Sequence, residues 1–375
     1  MPAKVLIIPD KFKGTLTARE AARAIAQGWK RHRPDDLLEI VPMSDGGDGF
    51  GETISEILVA RSQIIKTVDA AHRPCRARWW WESRSKMAII ESAKIIGLSQ
   101  LPPGDFHPFA LDTFGLGAAL LAAEGKGARR CLIGIGGSAT NDGGFGLARA
   151  LGWEFRDRNE GPITRWTGLK HLASIHPPGR KVSLNEILVA VDVQNPLLGP
   201  TGATRVYGPQ KGIRPQDYPM AESSLRRLAT VVRQTFGHDF AREPGTGAAG
   251  GLGFGLKCFF SAKLEPGFEL FAKYADLPHR LRNVDLVITG EGAIDQSSLM
   301  GKGVGQLAAL CRSLRISCIG LAGCVKNPAL ARRRFTQIAA LTPDLTTEAK
   351  AKAKPAYWLT QLAAVVAEEW VGPQS

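Results

Sequence analysis

The chain lacks every common short signature of nucleotide or hydrolytic chemistry. It has no G-x-x-x-x-G-K-[ST] run, no H-R-D set and no G-x-S-x-G elbow, so P-loop, protein-kinase and α/β-hydrolase readings lose their usual support. The 7 histidines form no metal-spaced pair, and the 6 cysteines (75, 131, 258, 311, 318 and 324) contain no C-x-x-C, which leaves a structural zinc site without ligands. Several cysteines sit in apolar runs such as Arg130-Cys131-Leu132-Ile133-Gly134, as expected of reduced, buried thiols. Aromatic residues are few, at 7%, and none interleaves the densest basic groups, Lys30-Arg31-His32-Arg33, Arg129-Arg130 and Arg332-Arg333-Arg334. With no RNP-like or zinc-finger pattern either, a nucleic-acid partner is not expected. Apolar runs are too short to span a bilayer, and Met1-Pro2-Ala3-Lys4-Val5 runs into a strand with no signal peptide ahead of it. The expected setting is the cytoplasm, with no membrane partner. Repeats and low-complexity linkers are absent, apart from an Ala/Lys-rich stretch at 349–354 that reads as an exposed helix or turn.

At 375 residues the chain exceeds what one hydrophobic core usually covers, so two domains are expected. The apolar fraction of 44% and mean hydropathy of −0.07 are those of a globular enzyme. The formal charge is +13, but the basic residues are dispersed, and charges farther apart than roughly 8 Å are screened at physiological salt. This predicts steering of anions in general rather than one polyanion groove. The 42 glycines are clustered, which implies that particular loops need backbone freedom or close approach to a ligand.

Val5-Leu6-Ile7-Ile8, ending at Pro9-Asp10, reads as a buried parallel strand. Thr17-Ala18-Arg19-Glu20 is a capping box opening a helix with Ala21, Ala22, Ile25 and Trp29 on one stripe. A second strand (37–41) and a second helix (50–60) follow, a β-loop-α repeat that predicts a parallel sheet with ligands at the strands' carboxyl ends. Residues 64–92, with Trp79-Trp80-Trp81, alternate as antiparallel strands do, the tryptophans serving as packing. The α/β rhythm returns at Val284-Asp285-Leu286-Val287-Ile288-Thr289 and continues through strands near 316–322 and 337–341. The expected fold class is α/β in two domains. Residues 1–62 with 285–375 form a Rossmann/flavodoxin-like parallel-sheet domain built from both chain ends. Residues 63–284 form an inserted mixed α/β domain carrying the Gly-rich loop.

Five glycine-containing loops follow strand-like or apolar segments. Asp10-Lys11-Phe12-Lys13-Gly14-Thr15 places lysines ahead of a capped helix, where an anion is favoured. Ser44-Asp45-Gly46-Gly47-Asp48-Gly49 has two acids that could hold Mg²⁺ through water or orient a hydroxyl. Gly134 to Gly144 contains G-x-G-x-x-A with Glu154 twenty residues beyond Gly134, so an NAD(P)-dependent oxidoreductase using residues 134–139 is the alternative from another class. Asn141-Asp142-Gly143-Gly144 would break the helix that such a turn requires, and Ser138, Thr140 and Asn141 beside open N–H groups suit a phosphate chain better. The fourth loop is Val191-Asp192-Val193-Gln194-Asn195-Pro196, followed by Gly208-Pro209-Gln210-Lys211-Gly212. The fifth is Thr289-Gly290-Glu291-Gly292-Ala293-Ile294-Asp295, with Gly301-Lys302-Gly303 close behind, in composition a metal-and-phosphate corner.

Taken in order, these loops, with Gly245-Thr246-Gly247-Ala248-Ala249-Gly250-Gly251-Leu252-Gly253, make the chain resemble the type I glycerate kinase family over nearly its whole length. The resemblance implies two α/β domains with the active site in the cleft between them. It also implies Mg²⁺-assisted transfer of the ATP γ-phosphoryl to D-glycerate, with the 2-position favoured. It points to Asp192 or Asp45 as base and to Lys13 and Lys302 offsetting developing charge, with Lys302 on the nucleotide side. Gly136, Gly137, Ser138, Thr140 and Asn141 would take the nucleotide phosphates. Asp10, Ser44, Asp48, Asn195 and Lys211 would face the substrate, and Glu291 with Asp295 the Mg²⁺. The implied partners are glycerate and ATP, and a homodimer is left open. Three positions depart from the family's habit: Asp48 stands where glutamate is usual, Ala293 where arginine is frequent, and Phe106-His107 where many members carry Arg-Asn. The last departure keeps a kinase for another small hydroxy acid in view.

Overall fold

β1 (Lys4–Pro9) is apolar and buried from Val5 onward, which obliges it to sit between two other strands. It pairs in parallel with β2 (Leu37–Ile40) on one side and β11 (Leu286–Ile294) on the other. β12 (Ser317–Val325) and β13 (Gln337–Thr342) extend the sheet, again in parallel, to the order β13-β12-β11-β1-β2. Numbered along the chain within this sheet, the order is 2-1-3-4-5, that of the flavodoxin-like doubly wound fold, with its reversal between β1 and β11. The helix Ala18–His32 starts at the capping box as expected: Thr17 Oγ1 accepts from the Glu20 amide and Glu20 Oε2 from the Thr17 amide at 2.8 Å. It buries Ala21, Ala22, Ile25 and Trp29 in one core with Leu359, Leu362 and Val366 of the helix Pro355–Glu369. Gly28 faces the Thr360 carbonyl so closely that any Cβ would collide with it, so the packing of these helices depends on that glycine.

This computed structural model describes residues 2–296, 298 and 303–372, and compactness divides the chain into two units, Met1–Asp45 with Phe268–Ser375, and Gly46–Gly267. The second unit contains a sheet of order β10-β9-β6-β5-β4-β3. β4 (Pro74–Glu82) pairs antiparallel with both β3 (Arg61–Val68) and β5 (Met87–Glu91). β6 (Arg130–Gly134), β9 (Glu186–Val191) and β10 (Lys263–Pro266) continue from β5 in parallel. A two-stranded sheet, β7 (Glu154–Asp157) with β8 (Leu172–His176), lies apart in the pairing. A second core in the same unit joins Phe155 and Ile175 of these strands to Leu225, Leu228 and Val232 of the helix Tyr218–Phe236. Both sheets follow the expected class: a parallel sheet from the chain ends and an inserted mixed sheet.

Residues 46–62, grouped by sequence with the first domain, pack in the second. The helix Phe50–Ile57 lies on β4 and β5, where Gly51 meets the Trp80 ring and Phe50 meets Gly134. Trp79 and Trp80 are buried, as packing residues should be. Likewise residues 268–284 pack in the first unit, where Arg280 pairs with Glu39. All 6 cysteines are free thiols. Among the described residues no helix is long and apolar enough to cross a membrane.

Candidate active site

In the first unit the chain reverses between β1 and β11, and in open parallel sheets that is where strand ends leave a crevice for ligands. Asp10 follows β1 there, its amide donating to the Gly290 carbonyl at 2.8 Å, and Glu291 lies one residue on in β11. Asp45 follows the segment after β2, where the Met43 amide is held by the Pro9 carbonyl at 2.9 Å. The Asp10 carboxyl senses the other two. Loss of hydration, then the Asp45 charge, with Glu291 adding a smaller share, pushes the Asp10 carboxyl up to about 7 against the Lys11 amide and ammonium. Gly292 lies against the Phe12–Lys13 backbone, its missing Cβ leaving room for the Lys13 amide. Lys13 itself is exposed, and Ser44 is buried. Asp295 takes the Ser298 amide on Oδ1 at 3.1 Å, a turn-capping bond. Lys302 lies outside the described residues.

Among the described residues no group of three or more His, Cys, Asp or Glu side chains is arranged to hold a metal ion by itself. Magnesium chemistry differs from such a cage: one or two carboxylates hold an ion that keeps several waters and substrate phosphates. The oxygen donor at Glu291 is of the kind that such a hard cation takes.

The second unit presents its own strand ends. Glu91 ends β5, Gly134 ends β6 and Asp192 follows β9. Register places Glu91 beside Gly134, and Gly134 beside Ala190. Glu91 is buried and takes the Gly49 amide on Oε1 and the Gly51 amide on Oε2, each at 3.0 Å. Burial raises its pKa, while the Gly49 amide, Lys94 and the Gly51 amide lower it. The carboxylate thereby ties the start of the helix Phe50–Ile57 to the edge from which the glycine loop departs. Gly136 donates to the Gly46 carbonyl at 3.2 Å, and a Cβ on Gly136 would stand 2.6 Å from the Gly47 Cα. Gly137, at φ +74°, leaves the space taken by the Asp48 carboxylate.

Within the glycine loop the expected ligands separate into two sets. Ser138, Thr140 and Asn141 are buried and bonded inside the unit. Ser138 and Thr140 hydroxyls meet at 2.9 Å, and Asn141 Nδ2 donates to Thr204 Oγ1 at 3.0 Å. The part facing outward is backbone, with Gly136 half-buried and Gly137 exposed. The amides of Gly137 and Ser138 have no acceptor among the described residues. Successive open N–H groups of this kind form a nest for an anion.

Lys211 is not at the surface. It is buried, its Nζ donating to the Thr140 carbonyl at 2.6 Å. Burial pulls it down to about 7, opposed by the Asp142 charge. Asp142 is itself pushed up to about 6 by burial and the Asp112 charge. It takes the Thr113 hydroxyl at 2.7 Å and the Gly146 amide at 2.8 Å. Asn195 is half-buried, donating to the Thr201 carbonyl and accepting from the Tyr207 hydroxyl. His107 meets Asp217 at 3.3 Å, and Arg73 covers the Phe106 ring at 5.1 Å. The dinucleotide alternative required a helix directly after Ala139, but the next helix is Phe145–Ala150. Glu154 lies on β7, paired with Arg156, and not beside a ribose site.

Glu91 was absent from the sequence-derived candidates, although a carboxylate ending the apolar run Met87-Ala88-Ile89-Ile90 was a usable signal. Nothing local announced the burial of Lys211.

A family model described as the glycerate kinase family matches residues 5–371. A protein of Halalkalibacterium halodurans named glycerate kinase is 37% identical over 322 residues, covering 85% of each chain. A protein of Escherichia coli K12 named glycerate 2-kinase is 36% identical over 323 residues, again covering 85% of each. A crystal structure from Salmonella typhimurium LT2, provisionally assigned as glycerate kinase 2, superposes with a TM-score of 0.84 at 33% identity and covers 98% of both chains. With a match of this extent and strand-end loops of this chemistry, the chain belongs to the glycerate kinase family.

Proposed function

We propose that the protein transfers the γ-phosphoryl group of ATP to a hydroxyl of D-glycerate, the 2-hydroxyl favoured, in the cytoplasm. Two strand-end chemistries, one in each unit, carry this reading. One is an oxygen-rich acid cluster at Asp10, Asp45 and Glu291. The other is an open-amide nest at Gly137 and Ser138. Phosphoryl transfer asks little covalent chemistry of a protein: it needs charge neutralised, reactants aligned and a proton accepted.

Backbone amides of Gly137 and Ser138 receive nucleotide phosphates, and Lys13 and Lys302 offset charge on the transferring group. Ser138, Thr140, Asn141 and Lys211 support that loop from beneath. Glu291 would hold Mg²⁺, which would supply charge neutralisation when bound. Asp295, engaged with Ser298, is the weaker ligand of the two read from sequence. The glycerate hydroxyl oxygen forms the new bond to the γ-phosphorus as the bond to the β-bridging oxygen breaks. ADP leaves, and the hydroxyl proton passes to a carboxylate. Asp45 and Asp192 are the candidate bases. Asp10, at about 7, adds a third whose proton affinity suits neutral pH. Ser44, Asp48 and Asn195 shape the acceptor side.

The test is ADP release with ATP and Mg²⁺ against a panel of small hydroxy acids led by D-glycerate, with NMR of the product. Rapid glycerate-dependent release is expected. Turnover on a different acid alone would move the acceptor assignment to the Phe106-His107 region, and binding of ATP with no turnover on any acid would overturn the reading. Asp10→Asn, Asp45→Asn and Asp192→Asn then identify the base, since its loss lowers kcat far more than it changes KM.

A further inference from the structure

At the opposite edge of the first unit's sheet, where β12 begins, Arg312, Arg315, Arg333 and Arg334 line one cavity of about 300 Å³. Cys318 and Thr336 close it from the sheet side, and no aspartate or glutamate is among its lining residues. The Thr336 amide bonds the Cys318 carbonyl at 2.8 Å, and the Cys318 amide bonds Thr336 Oγ1 at 3.0 Å. The floor is therefore fixed by two strands. Register sets Cys318 beside Val287 and Ala322 beside Glu291, which at strand geometry puts the cavity roughly 15 Å along the sheet from Glu291.

The charge there needs an explanation. None of the four guanidinium groups forms an ion pair among the described residues. The one polar bond any of them makes is from Arg312 Nη1 to the Arg333 carbonyl at 2.9 Å. Cations around a space this small lie within about one screening length of each other. A guanidinium cannot shed its proton to relieve the repulsion. Two helices, Gly303–Ser313 and Pro328–Arg332, end here, and a basic side chain near each carboxyl end would complement the helix dipole. One arginine per end does that, and two remain. Arg315 holds φ +58°, a left-handed position after a helix that glycine fills at no steric cost. The chain keeps an arginine there and aims it at the same cavity.

We propose that this cavity is a second anion site, separate from the site of phosphoryl transfer, that binds a small phosphate monoester carrying a carboxylate. Planar guanidinium forks pair in bidentate fashion with both phosphate and carboxylate oxygens. The cavity is open to solvent, with Arg312, Arg315 and Arg333 exposed at its rim, and has room for a three-carbon phosphorylated acid. That charge pattern is the one the proposed reaction produces, so the choice of phosphoglycerate as ligand rests on that proposal. The arginine cluster itself does not.

Hydrogen exchange of the full chain with phosphoglycerate as probe, read by peptide, locates binding without relying on activity. Protection is expected in the segments 312–318 and 333–336. In the Arg312→Ala/Arg333→Ala variant its midpoint should move at least roughly tenfold higher, while turnover of ATP and glycerate stays as in the parent. Absence of protection in those segments at millimolar probe, with the kinase reaction running, overturns the site and leaves the function intact. Protection that persists unchanged in the double variant also overturns it. Protection without any turnover on glycerate upholds the site and sinks the acceptor assignment instead.

Discussion

Asp10 is the residue at which electrostatics and stability meet. Its folded value near 7 lies above the ordinary 3.8, so the folded chain holds that proton more tightly than the unfolded one. The contribution is fully present below the unfolded value and is lost as pH rises from about 4 to about 7, the sign following from linkage. Asp10→Asn should remove this slope, so that the thermal midpoint changes less than the parent's between about pH 5 and about pH 8. An unchanged slope would mean the proton is held elsewhere. Glu91 gives a second test at this scale. Glu91→Gln replaces one of two acceptors by an NH₂ facing a backbone N–H, and should cost about 1–3 kcal/mol in denaturant unfolding. It should also lower kcat, because the Asp48 loop loses its anchor. Loss of stability with unchanged kcat would reduce Glu91 to a purely structural carboxylate.

At the scale of elements, close backbone approach decides what the glycine loops can be. Gly250 has φ +70°, and a Cβ there would run into the Thr140 carbonyl, the same carbonyl that Lys211 holds from the other direction. Gly250→Ala should therefore cost about 2–5 kcal/mol, from left-handed strain and overpacking together, read as a lower denaturant midpoint or as insoluble protein. A Cβ at Gly136 would stand 2.6 Å from the Gly47 Cα and 3.1 Å from the Gly46 carbonyl oxygen, so Gly136→Ala must shift the loop. Its expected signature is a rise in the KM for ATP that outweighs the loss of stability. If stability alone fell, the loop's outward backbone would not be where phosphates bind.

At the scale of the whole molecule, a charge of +13 should draw anionic substrates, so kcat/KM for ATP should fall as salt is raised, through KM more than kcat. Indifference to salt would confine the charge to a general solubility role. Residues 46–267 close a sheet with a core of their own and should fold cooperatively when expressed alone, as checked by a single calorimetric transition.

Much of this was legible in the sequence, because it depends on neighbours along the chain. The apolar run of β1, the Thr17–Glu20 capping box, the alternation of β3 and β4 and the glycine loops after strands are local patterns, set by strand and helix periodicity and by cap chemistry. From them follow two α/β domains and the positions of the strand-end loops. What the tertiary structure alone decided is company. Asp10 and Glu291, separated by most of the chain, share a charge field because β1 pairs with β11 in one register. Lys211 looks in sequence like a ligand for substrate, yet packing puts it beneath Thr140. Ser138 and Asn141 are likewise turned inward. The helix Phe50–Ile57 belongs with the second sheet because Trp80 and Gly134 receive it there. Side-chain periodicity is a property of a segment. Burial, proton affinity and the partner of a carboxylate are set by strand pairing across long separations, and no local pattern encodes them.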